Sequence, residues 1–270
     1  MVINLWRFRG LIVRNALHEL RTRYAGSVGG YLWNVLVPLA QIIVFSTVFS
    51  VLMRQRLEER QIPGLASHLA FVVYLCSGLL PWNAFADTLA RGVGSLVGHA
   101  GYLKKLPIPE QVFVTTDAAA GFFSALVAMG LFGVVAVLLG YGPYAEWLQA
   151  LPALALFIAF ALGLGLLLSC VNVFFRDVQP LMNVVLLLWF WLTPVVYLES
   201  IFDVSGLERL RWLLTLNPAY PFIRCFHISI FEHGIVPIGT WTACLLLALA
   251  ANAAGYAALR RLRGEIRDAL

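Results

Sequence analysis

The chain has 270 residues, of which 61% are apolar and 12% charged, and its mean hydropathy is +0.84. That balance excludes a water-facing globular surface, a disordered tail, a collagen-like repeat and a charge-rich nucleic-acid platform. Nineteen bases against fourteen acids give a net charge of +5, but the bases are scattered between apolar stretches, so the excess reads as membrane topology.

The first predicted element is an interface helix over residues 4–24. At about 100° per residue, Leu5, Phe8, Ile12, Val13, Ala16 and Leu20 gather on one face, opposite Arg7, Arg14, His18 and Arg21. Six apolar runs follow, at about residues 34–53, 69–90, 118–140, 150–175, 178–198 and 237–259. Each approaches the roughly 20 residues that cross a hydrocarbon core. The predicted fold is therefore an all-α membrane protein with six transmembrane helices. The first run is longer than a signal h-region, and the residues before it carry five arginines, so it is expected to remain as a span. Asp87 interrupts the second run and is expected to pair with Arg91 one turn later. Thr115-Thr116-Asp117 precede the third and are expected to cap it. Trp147, near a membrane boundary, is expected in an interfacial belt.

Sorting Lys and Arg by side gives thirteen on the side of both termini and six on the other. The positive-inside rule then places both ends in the cytoplasm. The external stretch 199–233 is unusually apolar and is broken by Asn217-Pro218 and Pro221. It is predicted to form two re-entrant half-helices between spans five and six, their backbone buried by neighbouring helices. The cysteines Cys76, Cys170, Cys225 and Cys244 lack C-x-x-C spacing and suggest no disulfide or metal framework.

Residues 91–111 form the most distinctive cytoplasmic segment. Gly92, Gly94, Gly98 and Gly101 are expected to let the chain turn, and Pro107 and Pro109 to stop helices, so that Tyr102, Lys104 and Lys105 are presented to a partner. A basic loop that only satisfies topology is the other reading of the same residues. No G-x-x-x-x-G-K-[ST] string is present, and the spans lack clustered carboxylates or histidines. The chain is expected to bind no metal or cofactor and to have no ATPase site of its own.

A series of short motifs runs along almost the whole chain: Leu20-Arg21-Thr22-Arg23-Tyr24, Gly30-Tyr31-Leu32-Trp33, Ser77-Gly78-Leu79-Leu80-Pro81-Trp82, Leu103-Lys104-Lys105-Leu106-Pro107-Ile108-Pro109, Asn172-Val173-Phe174-Phe175-Arg176-Asp177-Val178, Trp189-Phe190-Trp191-Leu192-Thr193-Pro194-Val195-Val196-Tyr197 and Leu216-Asn217-Pro218. In this order they resemble the membrane subunit of ABC-2 type exporters, most closely those that export lipid-linked O-antigen polysaccharide. Teichoic-acid and capsular polysaccharide permeases are near relatives. The resemblance implies a homodimer in a bacterial inner membrane, joined to two copies of an ATP-binding subunit that holds ATP and Mg²⁺. Lipid-linked polysaccharide is the implied substrate and membrane lipids are the surroundings, with no role for nucleic acid.

By the same resemblance, residues 98–109 are the coupling helix, with His99, Tyr102, Lys104 and Lys105 facing the ATPase. Arg21, Arg23, Tyr24 and Gly30 are placed where the lipid head is loaded, although the family's Leu-Gly pair reads Gly29-Gly30 here. Interfacial anchoring is the other reading of those residues. Trp82, Phe85, Trp189, Phe190, Trp191 and Tyr197 are candidates for a translocation path, because sugar C–H faces stack on aromatic rings; belt and packing roles are open for each. Arg176 and Asp177 are expected to hold the tight cytoplasmic turn between the fourth and fifth spans, with topology and local pairing as the other reading. Other readings are an ABC-2 exporter of lipids or drugs, a membrane enzyme of lipid-linked glycan assembly, and a passive channel.

Overall fold

The computed structural model describes residues 2–22, 32–52, 67–105, 107–199, 202 and 208–269. Among them the fold is all helical, with no strand. This is the outcome expected where the surroundings offer a backbone no hydrogen-bond partner. In chain order the α-helices are α1 (Val2–Arg7), α2 (Arg9–Thr22), α3 (Trp33–Leu52), α4 (Ser67–Gly98), α5 (Ala100–Lys105), α6 (Gln111–Leu138), α7 (Ala150–Phe174), α8 (Val178–Leu192), α9 (Trp212–Leu216), α10 (Tyr220–Phe226) and α11 (Ile238–Ala269). Among the described residues three helical stretches are long and apolar enough to cross a membrane: α6, Ala145–Phe174 and α11.

α7 lies at the centre, packed against both α11 and α4. Glycines set both crossings. A Cβ on Gly163 would overlap the backbone of Ala251 and Asn252 in α11, and one on Gly255 would stand 2.5 Å from the Gly163 carbonyl oxygen. On the α4 side, a Cβ on Gly92 would come within 3.2 Å of Gly165 Cα. With lipid as apolar as the helix faces, close van der Waals approach of this kind replaces the hydrophobic effect as the force joining helices.

Several boundaries differ from the sequence reading. α6 begins at Gln111, so Asp117 is a buried residue inside the helix and not its cap. The Thr115 and Thr116 hydroxyls donate to the Gln111 and Val112 carbonyls at 2.8 and 2.9 Å, an i−4 pattern that a helix interior tolerates. α4 continues to Gly98, so Gly92 and Gly94 do not serve as turn points. They make room for Gly165 and for the Gln179 side chain. α8 stops at Leu192, giving about 22 Å of helix, because the residue before Pro194 disfavours the α conformation. Its predicted continuation to 198 is a series of turns and bends.

α2 keeps the predicted amphipathic face except at Val13, with Arg7 in α1 and Arg14, His18 and Arg21 in α2 exposed opposite it. Ile12, Ala16 and Leu20 are buried, and the helix packs on α6. Val13 faces outward. The opposite end of the molecule holds α9, α10 and a π turn at His227–Phe231. Phe222, Ile223, Phe226 and Ile230 there are buried. The Tyr141 hydroxyl lies 3.0 Å from the Ile230 and Phe231 carbonyls. Gln149 clamps the stretch after the π turn, donating to Gly234 O at 3.0 Å and accepting from Val236 N at 2.9 Å. Neighbouring elements thus bury α10 and the π turn, while Trp212 and Leu216 of α9 stay exposed.

Candidate functional site

The chain's most distinctive surface element is α5. His99 is the single residue between α4 and α5. Its Nδ1 lies 2.8 Å from the Ser95 carbonyl, and its ring stacks on Phe113 with centroids 4.9 Å apart. The His99 ring is therefore held inward as part of the hinge. Leu103 is 4% exposed and joins a cluster with Leu96, Val114, Val173, Leu259 and Ile266. With Leu103 pinned inward, Tyr102 is 60% exposed and Lys104 and Lys105 are both exposed. Six residues thus form a short ledge that projects one aromatic ring and two cations. It is an arrangement suited to a protein partner, with Tyr102 as an aromatic anchor and the two lysines as a charged rim.

The ledge is secured at its far end by residues that sequence reasoning had not singled out. The Glu110 side chain is 2% exposed and accepts hydrogen bonds from Arg263 Nε at 3.2 Å and Arg267 Nε at 2.8 Å. Burial alone would raise the Glu110 pKa, but its own backbone N–H and the two arginines outweigh burial and hold it below the ordinary glutamate value. Arg263 and Arg267 are four residues apart on α11, flanking buried Ile266. A carboxylate just before a helix and a basic carboxyl tail are visible in the sequence, but nothing there pairs them across more than 150 positions.

A second ionic group ties α2 to the body. Arg91 on α4 meets Glu19 of α2 at 2.5 Å and Asp87 at 3.0 Å. The Asp87–Arg91 pairing was expected; Glu19 joins it from 72 positions away. Beside this group, α3, α4 and α6 enclose a crevice of about 180 Å³ lined by Trp33, Gln41, Asn83, Asp87 and Ser124. Asn83 Nδ2 donates to Gln41 Oε1 at 3.1 Å within it. Arg21 is exposed on α2. Arg23, Tyr24 and Gly30 lie outside the described residues.

The aromatic candidates separate into two environments. Phe85 is wholly buried, stacked on Phe157 with centroids 4.4 Å apart and meeting Trp189 edge-on at 5.4 Å. Trp82 is buried against Phe85, Trp189 and Phe190. This is a packed wall inside the subunit, so Trp82 and Phe85 do not line a surface of it. The Trp189 indole N–H donates to Asn217 Oδ1 at 2.7 Å, and Asn217 Nδ2 donates to Thr193 Oγ1 at 2.8 Å. The Asn217-Pro218 motif thereby fastens the end of α8 to the start of α10. Trp191, by contrast, is 60% exposed. Tyr197 is half-buried near Phe202. Arg176 and Asp177 are exposed in the three-residue connection, 175–177, between α7 and α8.

Comparison with known proteins supplies the family. The family model described as ABC-2 type transporter matches residues 11–231. The chain is 30% identical to the O-antigen export system permease protein RfbA of Myxococcus xanthus, over 86% of this chain and 85% of that protein. It is 28% identical to a Klebsiella pneumoniae protein of the same name, over 87% and 85%. The polysialic acid transport protein KpsM of Escherichia coli matches at 24% identity over 75% and 74%. With the family model covering most of its length and a multi-helix apolar body to match, the chain is a membrane-embedded member of the ABC-2 type transporter family.

Proposed function

We propose that the protein is the permease subunit of an ATP-driven exporter of lipid-linked polysaccharide of the O-antigen type. In this reading two copies pair in a bacterial inner membrane, and each seats one ATP-binding subunit that holds ATP and Mg²⁺. Six crossings are supplied by α3, α4, α6, α7, α8 with the turns after it, and α11. Both termini face the cytoplasm and 199–233 is re-entrant from outside. The observation that carries the reading is α5, a ledge with Leu103 inward and Tyr102, Lys104 and Lys105 outward, in a chain that is 30% identical to a named O-antigen permease. Closure of the ATPase pair on nucleotide would push on α5 and alter the seam between permeases while the lipid head crosses and the glycan follows.

Exposed apolar side chains on α3 and α8, including Ile43, Val44, Leu187 and Leu188, supply surface for lipid or for the second copy. Trp191 is the aromatic whose exposure suits a sliding sugar chain, with Tyr197 beyond it. The packed ring wall stands behind as a rigid backing. Arg21, with Arg23, Tyr24 and Gly30, is assigned to loading of the lipid head.

The test is to replace Tyr102, Lys104 and Lys105 together by alanine in cells whose surface polymer depends on this exporter. Loss of export with the permease still present in the membrane supports α5 as the docking element; undiminished export would refute it. A capsular substrate is favoured instead if polymer export fails to depend on the lipid-linked O-antigen precursor, as the KpsM relationship allows.

A further inference from the structure

α5 is too short to transmit a push unaided. Six residues make a helix about 9 Å long, below the length at which a helix holds itself together. Leu103 is its one buried side chain. It is joined to α4 through His99 alone, and to α6 through the linker that ends at Glu110. A load applied to Tyr102, Lys104 and Lys105 would be absorbed by bending these linkers unless something fixes their far end.

Glu110 is where that end is fixed. Its buried carboxylate is held by Arg263 and Arg267 at 3.2 and 2.8 Å. The two guanidinium groups come from adjacent turns of one face of α11, on either side of Ile266, which is fully buried in the cluster that also contains Leu103. α11 in turn is locked to α7 by the Gly163 and Gly255 crossing. Leu103 of α5 and Ile266 of α11 therefore share one cluster, Glu110 is paired to the same turns of α11, and α11 is packed on the central helix α7.

We infer that Glu110, Arg263 and Arg267 act as a positioning clamp, which makes the carboxyl end of α11 the seat against which the ATPase drives α5. The clamp rests on the docking reading of α5 and adds the element that converts a push at the ledge into movement of the membrane helices. Its acid is buried and its bases half-exposed, so the carboxylate fixes the position while the arginines can be changed without opening the core. Breaking one side strands a buried charge.

The experiment uses the complete complex of permease and ATPase in proteoliposomes loaded with lipid-linked polysaccharide. It measures ATP hydrolysis, polymer exported per ATP and melting temperature. In the Arg263→Gln/Arg267→Gln variant, hydrolysis should persist while export per ATP falls at least about fivefold, the lower end of ordinary coupling between sites. Adding Glu110→Gln removes the stranded charge, so the melting temperature should recover while export per ATP stays low. Arg263→Lys/Arg267→Lys, which keeps both charges, should restore most of the export. Wild-type export per ATP in the Gln pair, or its recovery in step with melting temperature in the triple variant, would overturn the clamp and leave a purely structural ion cluster. The Tyr102, Lys104 and Lys105 alanine variant is run in parallel. Wild-type export by that variant would overturn the docking reading itself, and the clamp with it.

Discussion

Phe85→Ala offers a quantitative test of which aromatics belong to the core. The ring is fully buried and lies parallel to Phe157 at a centroid distance of 4.4 Å, with Phe160 at 5.8 Å and Trp189 edge-on at 5.4 Å. Transfer from water contributes little here, because both the folded helices and their separated state sit in hydrocarbon. What is lost is packing. A void on the order of 100 Å³, at about 24 cal/mol per Å³, costs about 2.4 kcal/mol. Loss of the stacked partner adds about 0.5–1.5 kcal/mol. The total of about 3–4 kcal/mol should lower the melting temperature by roughly 6–16 °C for a chain of this size. The assay is thermal unfolding of the purified permease in nanodiscs, beside Trp191→Ala, whose 60% exposed ring leaves no comparable void. The expected result is a destabilised Phe85 variant and a Trp191 variant that melts as wild type but exports less polymer. A Phe85→Ala protein that melts normally and has lost only transport would refute the packed wall and return Phe85 to the path.

Gly163→Leu should push α7 from α11, since even a Cβ meets the backbone of Ala251 and Asn252; membrane yield and melting temperature should both fall, and unaltered values would dismiss the close crossing. Glu19→Gln should release α2 from Arg91, raising proteolysis within residues 9–22 while the core helices keep their protection from hydrogen exchange. Glu110, whose pKa is depressed in the fold, stabilises the protein fully above the ordinary carboxylate value and loses that contribution as pH falls below it. Wild type should therefore lose more stability than Glu110→Gln on acidification below about pH 4.5, the ordinary value from which the shift is measured.

The body of the fold was legible because long uncharged runs have few alternatives in lipid: α3, α6, α7 and α11 all fall on predicted stretches. The basic element at Tyr102 to Lys105 was legible from its punctuation by glycine and proline. What sequence concealed follows from packing. Gly92 and Gly94 look like hinge residues, and only the arrival of Gly165 and Gln179 shows them to be contact points. Thr115-Thr116-Asp117 resembled a cap because hydroxyls favour helix starts, yet these hydroxyls bond four residues back within the helix. Aromatic residues suit a sugar path and a core equally well by composition. Their separation into a buried wall and an exposed Trp191 needed the fold. Glu110 and its arginines carry no local spacing signal, since their partnership spans more than half the length of the protein.

The central claim is that passage and fuel belong to different chains, and it is tested most directly by reconstitution. Proteoliposomes are prepared with this permease alone, with the ATP-binding subunit alone, and with both, and ATP consumption and movement of lipid-linked polysaccharide are followed together. The account predicts no nucleotide hydrolysis by the permease alone, and ATP-dependent polymer movement only when both are present. Hydrolysis by the permease alone, or polymer movement by it without ATP, would contradict the account.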